Sequence, residues 1–321
     1  MARREPVAIV LLNLGGPDTL DAVRPFLYNL FSDRRIIRLG PLPFMQKPIA
    51  WMIAKRRAPK TISYYTQIGG GSPIVPITRS QADALSAQLG GQGDFKVTVG
   101  MRYWHPFIHD AVDQAVSSGV RRFIGLSLYP HWSIATSGSA ELALREALSK
   151  HHIEPVIVPA WYDHPLYIEA LADRLASALA DAPASHILFS AHSLPQSLID
   201  GGDPYVEHIM GTIRAVMARF KGSPWSISYQ SRSGPVRWLS PSTGDELHRL
   251  ASTGVKDILM VPISFVSDHI ETLYEIDILY RQMAGVMGVS LRRTESLNVH
   301  PKFIGALAGL AIKTAKECDW A

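Results

Sequence analysis

The run "PVAIVLLNL" at residues 6–14 decides the fold. It is apolar, β-branched and short, and it ends in Gly15, Gly16 and Pro17 with no small-residue cleavage site behind it. Those features argue against a secretory leader after the charged start "MARRE" and for a buried strand. Runs of the same kind recur at 95–103, 121–130 and 155–161, and again at 186–194, 225–232, 257–267 and 290–298. Amphipathic stretches separate them at 106–118, 138–150, 165–181, 203–220, 243–253 and 269–287, and a last one covers 301–317. Four strands and then four more, each divided from the next by helices, predict an α/β protein of two similar doubly wound domains with parallel sheets. The expected division is 1–164 and 165–321, with the final helix free to pack on the first domain.

Composition narrows the class. A chain of 321 residues has room for two ordinary domains, and 47% hydrophobic with 19% charged residues is a globular composition. The net charge of +4 is too small to argue for nucleic acid. The one dense basic run, "AKRRAPK" at 54–60, carries no nucleic-acid motif. Cys318 is the only cysteine, which excludes an internal disulfide, a zinc ribbon and a four-cysteine iron–sulfur cluster. It also fits a reducing compartment. No stretch reaches the roughly 18 uninterrupted apolar residues of a membrane-spanning helix. A cytoplasmic location is expected. Residues 40–57, "GPLPFMQKPIAWMIAKRR", break the strand–helix alternation with Pro41, Pro43 and Pro48. They read as an exposed apolar lip, suited to an apolar ligand or to peripheral contact with a membrane.

In parallel α/β sheets, ligands sit beyond the carboxyl ends of the strands. Asn13, Arg102, Tyr103, Tyr129, His192, Gln230, Ser231, Arg232, Asp268 and His269 all stand at such ends. Two lobes facing each other across a cleft would collect them. "SDHIETLYEID" at 267–277 adds a stripe of acids. On a helix, Asp268, Glu271 and Glu275 fall within about 60° of one another. Asp268 and Glu271 also have the spacing of a capping box, which leaves Glu275 without a role. His192 in "FSAHSLP" is either a hydrogen-bonded strand-end residue or a base or metal ligand. His269 lies off the acidic stripe and reads as structural, whereas His131 in "YPHWS" is a weaker candidate for the cleft. Trp238 could belong to the core or floor a flat aromatic ligand. The glycine runs "LNLGGPDT" and "IGGGSPI" match no phosphate-binding pattern and read as turns allowing close backbone approach. Ser193 lacks a nucleophile elbow.

Together these stretches resemble the ferrochelatase family, whose members insert Fe2+ into protoporphyrin IX. The segments carrying the resemblance are "LLNLGGPDTLDAVRPFLYNLFSD", "AKRRAPK…QIGGGSPI", "GMRYWHP", "FSAHSLP", "YQSRSGPVRWLSPST" and "FVSDHIETLYEID". They run in family order over nearly the whole chain. The resemblance implies a chelatase fold around a porphyrin cleft, with His192 and Glu271 as the catalytic and metal-binding pair. It implies an accessory acidic path through Asp268 and Glu275. It also implies porphyrin contact by Leu14, Arg57, Tyr65, Ser72, Arg102 and Tyr103, to which Trp238 is added on chemical grounds. The partners are then protoporphyrin IX and Fe2+, both substrates, and no resident cofactor is required. Some family members carry a [2Fe–2S] cluster, for which this chain lacks the cysteines. A coproporphyrin-using branch places a tyrosine in the first loop, where this chain has Leu14 and Gly15. That implies protoporphyrin as the preferred ring. A tetrapyrrole carrier without turnover and a chelatase for cobalt or nickel are the competing readings. The sequence sets no oligomeric state.

Overall fold

The computed structural model describes residues 5–181, 185–232 and 234–321. Met1–Arg4 of the charged start and Ser233 within "YQSRSGPVRWLSPST" lie outside them. The chain forms two compact units. The first comprises its residues through Tyr129, Ser133–Pro159 and Ile304–Ala321, and the second comprises Pro130–Trp132 and Ala160–Phe303.

The first unit holds β1 (Val7–Asn13), β2 (Phe95–Met101), β3 (Arg122–Ser127) and β4 (Val156–Ile157), in the order β2-β1-β3-β4, all parallel. Every residue of β1 is buried, because helices cover both faces of a central parallel strand. Ala8, Val10 and Leu12 pack with Phe123 against Ile108 and Val112 of helix Ile108–Ser117 and Leu144 and Leu148 of helix Ser139–Ser149. The second unit repeats the plan with β5 (His186–His192), β6 (Trp225–Gln230), β7 (Asp257–Pro262) and β8 (Ser290–Arg293), in the order β6-β5-β7-β8. Leu188, Ile258, Met260 and Leu291 form part of its core with Leu247, Leu250 and Ile276. Both sheets therefore change direction of strand order between their first and third strands, the place where such sheets bind ligands.

Three sequence expectations change in extent. The run at 155–161 pairs only through Val156 and Ile157, since Pro155 and Pro159 cannot donate to a ladder. The run at 290–298 stops at Arg293, beyond which Ser296 and Asn298 turn their side chains to Asp268. The lip at 40–57 is not irregular throughout: a 3-10 turn at Pro43–Met45 leads into helix Gln46–Thr66. Pro48 is tolerated in the first turn, where backbone N–H groups lack partners anyway. Gln46 anchors that start by donating to the carbonyls of Phe31 and Ile37, each at 2.7 Å. Ala50, Ala54 and Ala58 form a buried stripe, and the helix packs on helix Val23–Ser32. Phe44, Trp51 and Met52 remain 50–74% exposed, so the lip is apolar on its outside.

The two glycine runs lock together. A Cβ on Gly16 would lie 2.6 Å from Ser72 Oγ, and the Ser72 amide donates to the Pro17 carbonyl at 2.7 Å. Close approach, not phosphate binding, accounts for these glycines.

Candidate active site

His192 is the last residue of β5, and its backbone is held at both ends. Its N–H donates to Ser264 Oγ at 2.8 Å, and its carbonyl accepts from the Tyr205 hydroxyl at 2.9 Å. The imidazole Nδ1 lies 2.9 Å from Glu271 Oε2. Glu271 opens a π-helix, Glu271–Tyr280, that continues as helix Arg281–Val286. Ser231, just past β6, places its Oγ 2.9 Å from Glu271 Oε2 and 2.7 Å from Glu275 Oε2. Gln230 is buried beside it and donates to the Glu271 carbonyl at 3.2 Å while accepting from Ser190 Oγ at 2.6 Å. His192, Glu271, Ser231 and Glu275 thus form one bonded row over the switch point between β5 and β7.

Electrostatics divide the two acids. Burial works to raise the Glu271 carboxyl, but the charge and hydrogen bond of His192 outweigh it and bring it down to about 2. Burial likewise opposes charge on His192, yet Glu271 raises the imidazole above its ordinary value. Burial and then the Glu271 charge push Glu275 up to about 7. The row therefore holds an imidazole of raised and a carboxyl of lowered proton affinity, next to a carboxyl poised to exchange a proton near neutrality. A serine hydroxyl has one proton, so Ser231 donates to one of the two carboxylates at a time and can accept from Glu275 when that acid is protonated.

Asp268 does not join this row. It precedes the helix and accepts from Ser296 at 2.8 Å, Asn298 at 2.9 Å and Thr272 at 3.1 Å, with Arg293 at 3.1 Å. The capping-box reading also fails, because the N-cap is Ile270 and the Glu271 side chain turns to His192. His269 is buried, donates Nδ1–H to the Ser267 carbonyl at 3.0 Å and packs on Phe265. His131 is a core residue, its Nε2 2.9 Å from Thr212 Oγ1, and burial holds its pKa down to about 3. Trp238 is half-buried, and its indole donates to the Gly234 carbonyl at 3.4 Å.

The corresponding end of the first sheet is lined by Asn13, Leu14, Arg102, Tyr103, Tyr129 and Thr136. Arg102 pairs with Asp33 and donates Nε–H to Ser139 Oγ at 2.9 Å. The Tyr103 hydroxyl donates to Asp33 at 2.8 Å, and burial keeps that phenol protonated. The Asn13 side chain accepts from the Leu14 amide at 2.8 Å and donates to Thr78 Oγ1 at 3.1 Å, fixing the first loop. Leu14, Arg102 and Tyr103 share this pocket. Tyr65 and Ser72 are buried in the same unit, and Arg57 stands 5.2 Å over the Phe31 ring. Sequence reasoning passed over Asp33, whose acceptance from the Arg35 amide reads locally as a turn. It noted Gln230 and Ser231 only as strand-end residues.

The chain is similar to known proteins along nearly its whole length. The family model described as Ferrochelatase matches residues 6–315. The chain is 50% identical over 318 residues to a ferrochelatase of Desulfotalea psychrophila, covering 98% of this chain and 99% of that one. It is 47% identical over 322 residues to a ferrochelatase of Synechocystis, covering 97% of this chain and 83% of the other. Among solved structures it resembles SirB from Bacillus subtilis with Fe3+, at TM-score 0.61 and 9% identity, over 98% and 97% of the two chains. It also resembles CbiX, the terminal enzyme for biosynthesis of siroheme in denitrifying bacteria, at TM-score 0.51 and 12% identity, over 96% and 98%. The two solved structures share the fold, and the match across the chain with relatives at about half identity settles the rest: this chain belongs to the ferrochelatase family.

Proposed function

We propose that the chain inserts Fe2+ into protoporphyrin IX, the terminal step of haem biosynthesis, with His192 and Glu271 as the catalytic pair that also receives the metal ion. The observation that carries this reading is the bonded row from His192 through Glu271 and Ser231 to Glu275. Metallation exchanges two pyrrole N–H protons for a dication. His192 Nδ1 is engaged by Glu271, which leaves Nε2 as the nitrogen to face the ring or the metal ion. A proton taken up at His192 then has hydrogen-bonded neighbours leading to Glu275, whose pKa near 7 lets it release the proton to water. Asp268 is bonded elsewhere, so the accessory path is assigned to Glu275. Fe2+ is a substrate here, and the reaction calls for no resident cofactor.

The porphyrin is assigned to Leu14, Arg102 and Tyr103, with Arg57, Tyr65, Ser72 and Trp238 as further contacts. Arg102 is already neutralised by Asp33, and Leu14 is apolar. Such a pocket supports protoporphyrin with two carboxylates over coproporphyrin with four, since an unpaired buried carboxylate is costly. The lip supports peripheral contact with an anionic membrane from the cytoplasm: Arg24 and Lys55 stack 5.2 and 5.3 Å over the exposed Trp51 ring. No helix among the described residues is long and apolar enough to cross a membrane. Anaerobic incubation with protoporphyrin IX and Fe2+, followed by haem absorbance, tests the activity. Turnover with cobalt or nickel but not iron, or binding without turnover, overturns the reading.

A further inference from the structure

Four described residues other than glycine occupy the left-handed backbone region: His152, Ser231, Asn298 and Asp319. His152 and Asp319 follow the ends of helices Ser139–Ser149 and Pro301–Glu317, where that conformation is a usual stop. Asparagine tolerates the region better than most side chains. Ser231 has neither reason. It follows a strand, and its φ of 65° is one that glycine would adopt without penalty. Non-glycine residues persist in such conformations when their surroundings hold them there, and they cluster at functional sites. The Ser231 backbone is bonded to the Tyr280 phenol, and its neighbour Gln230 is fixed by Ser190 and by the Glu271 carbonyl.

The gain from this conformation is at the side chain. Oγ touches both acids, at 2.9 Å from Glu271 and 2.7 Å from Glu275. The carboxylate oxygen it meets on Glu271, Oε2, is the same atom that meets His192. A residue chosen only to make the turn would be glycine.

We propose that Ser231 is a positioning residue for metal insertion: its hydroxyl clamps the Glu271 and Glu275 carboxylates into one row and so aims Glu271 at His192. This rests on the assignment of His192 and Glu271 as the metal-receiving pair.

Ser231→Gly separates the hydroxyl from the turn. It relaxes the backbone, so the variant should melt at or above the wild-type temperature. Its kcat/KM for Fe2+ should nevertheless fall roughly 10- to 100-fold, as when a partner behind a metal ligand is lost, with the KM for porphyrin unchanged. A turn-forming role predicts the opposite, undiminished turnover in a protein at least as stable. Should the glycine variant fail to fold, Ser231→Ala, which keeps Cβ and loses only the hydroxyl, must show the same loss. Ser231→Asn tolerates the backbone and restores a donor, and should recover part of the rate. A folded glycine or alanine variant within about threefold of wild type in kcat/KM, beside an inactive His192→Ala, overturns the role of Ser231 alone. Normal rates in the His192→Ala control would overturn the site assignment as well.

Discussion

Nδ1 of His192 and Oε2 of Glu271 stand 2.9 Å apart, although 79 residues separate them in the chain. Each group alters the other's proton affinity: the imidazole is raised and the carboxyl brought down to about 2. Each group favours the charged form of the other, which lets them share a partly enclosed site.

His192→Ala should lower the metallation rate by about 10²–10⁴-fold, the range for loss of a general base. The protein should remain folded but melt earlier, because Glu271 loses its hydrogen-bond partner in an enclosed site. Turnover and melting measured on the same sample check both halves, and a wild-type rate refutes the assignment.

Glu271→Gln should damage turnover far more than Glu275→Gln, since only Glu271 is bonded to His192. The Glu275 variant has a second signature. A carboxyl raised from 4.5 to about 7 in the folded state costs stability as pH rises through that interval. Glutamine avoids that cost, so Glu275→Gln should melt above wild type at pH 8 and converge with it towards pH 5. A constant difference across pH would contradict the shift.

Asp268→Asn should act on stability and spare the chemistry. Burial opposes its charge, but Asn298, Arg293, Ser296 and Thr272 hold its pKa below the ordinary value. Its contribution is therefore present above the unfolded pKa and lost as pH falls towards the folded one. A loss of roughly 1–3 kcal/mol in urea unfolding near neutral pH is expected, with unchanged kcat per folded molecule. A fall in kcat without a fall in stability would return Asp268 to the proton path.

Phe44, Trp51 and Met52 are each at least half exposed, so replacing all three with serine should leave the melting temperature nearly unchanged. Binding to anionic vesicles should weaken markedly. Equal sedimentation with liposomes would confine the lip to other work.

The strands were legible because buried parallel strands read as unbroken apolar runs, and β1 and β5 lie where those runs fall. His192 and Glu271, which the motifs single out, are brought within hydrogen-bond distance by the fold. Asp268 leaves the stripe that ideal helical geometry predicts, because it precedes the helix and Glu271–Tyr280 is a π-helix with a different period. The link between Asp33 and Arg102 spans 69 residues and leaves no local trace. Ser231 escaped for another reason. Its importance lies in a backbone angle, and serine in a turn is unremarkable by composition.

The helix Pro301–Glu317 carries a consequence for synthesis on the ribosome. Ile304–Ala321 completes the unit that begins with β1, and Leu307, Ala311 and Ala315 of that stretch are buried. About 145 residues separate Pro159 from Ile304, a gap of roughly 7–30 s at ~5–20 residues per second of translation. Throughout that interval the nascent first unit lacks its closing helix. The first unit is thus completed only after the second has been translated, and the apolar surface that this helix covers waits for it over that interval.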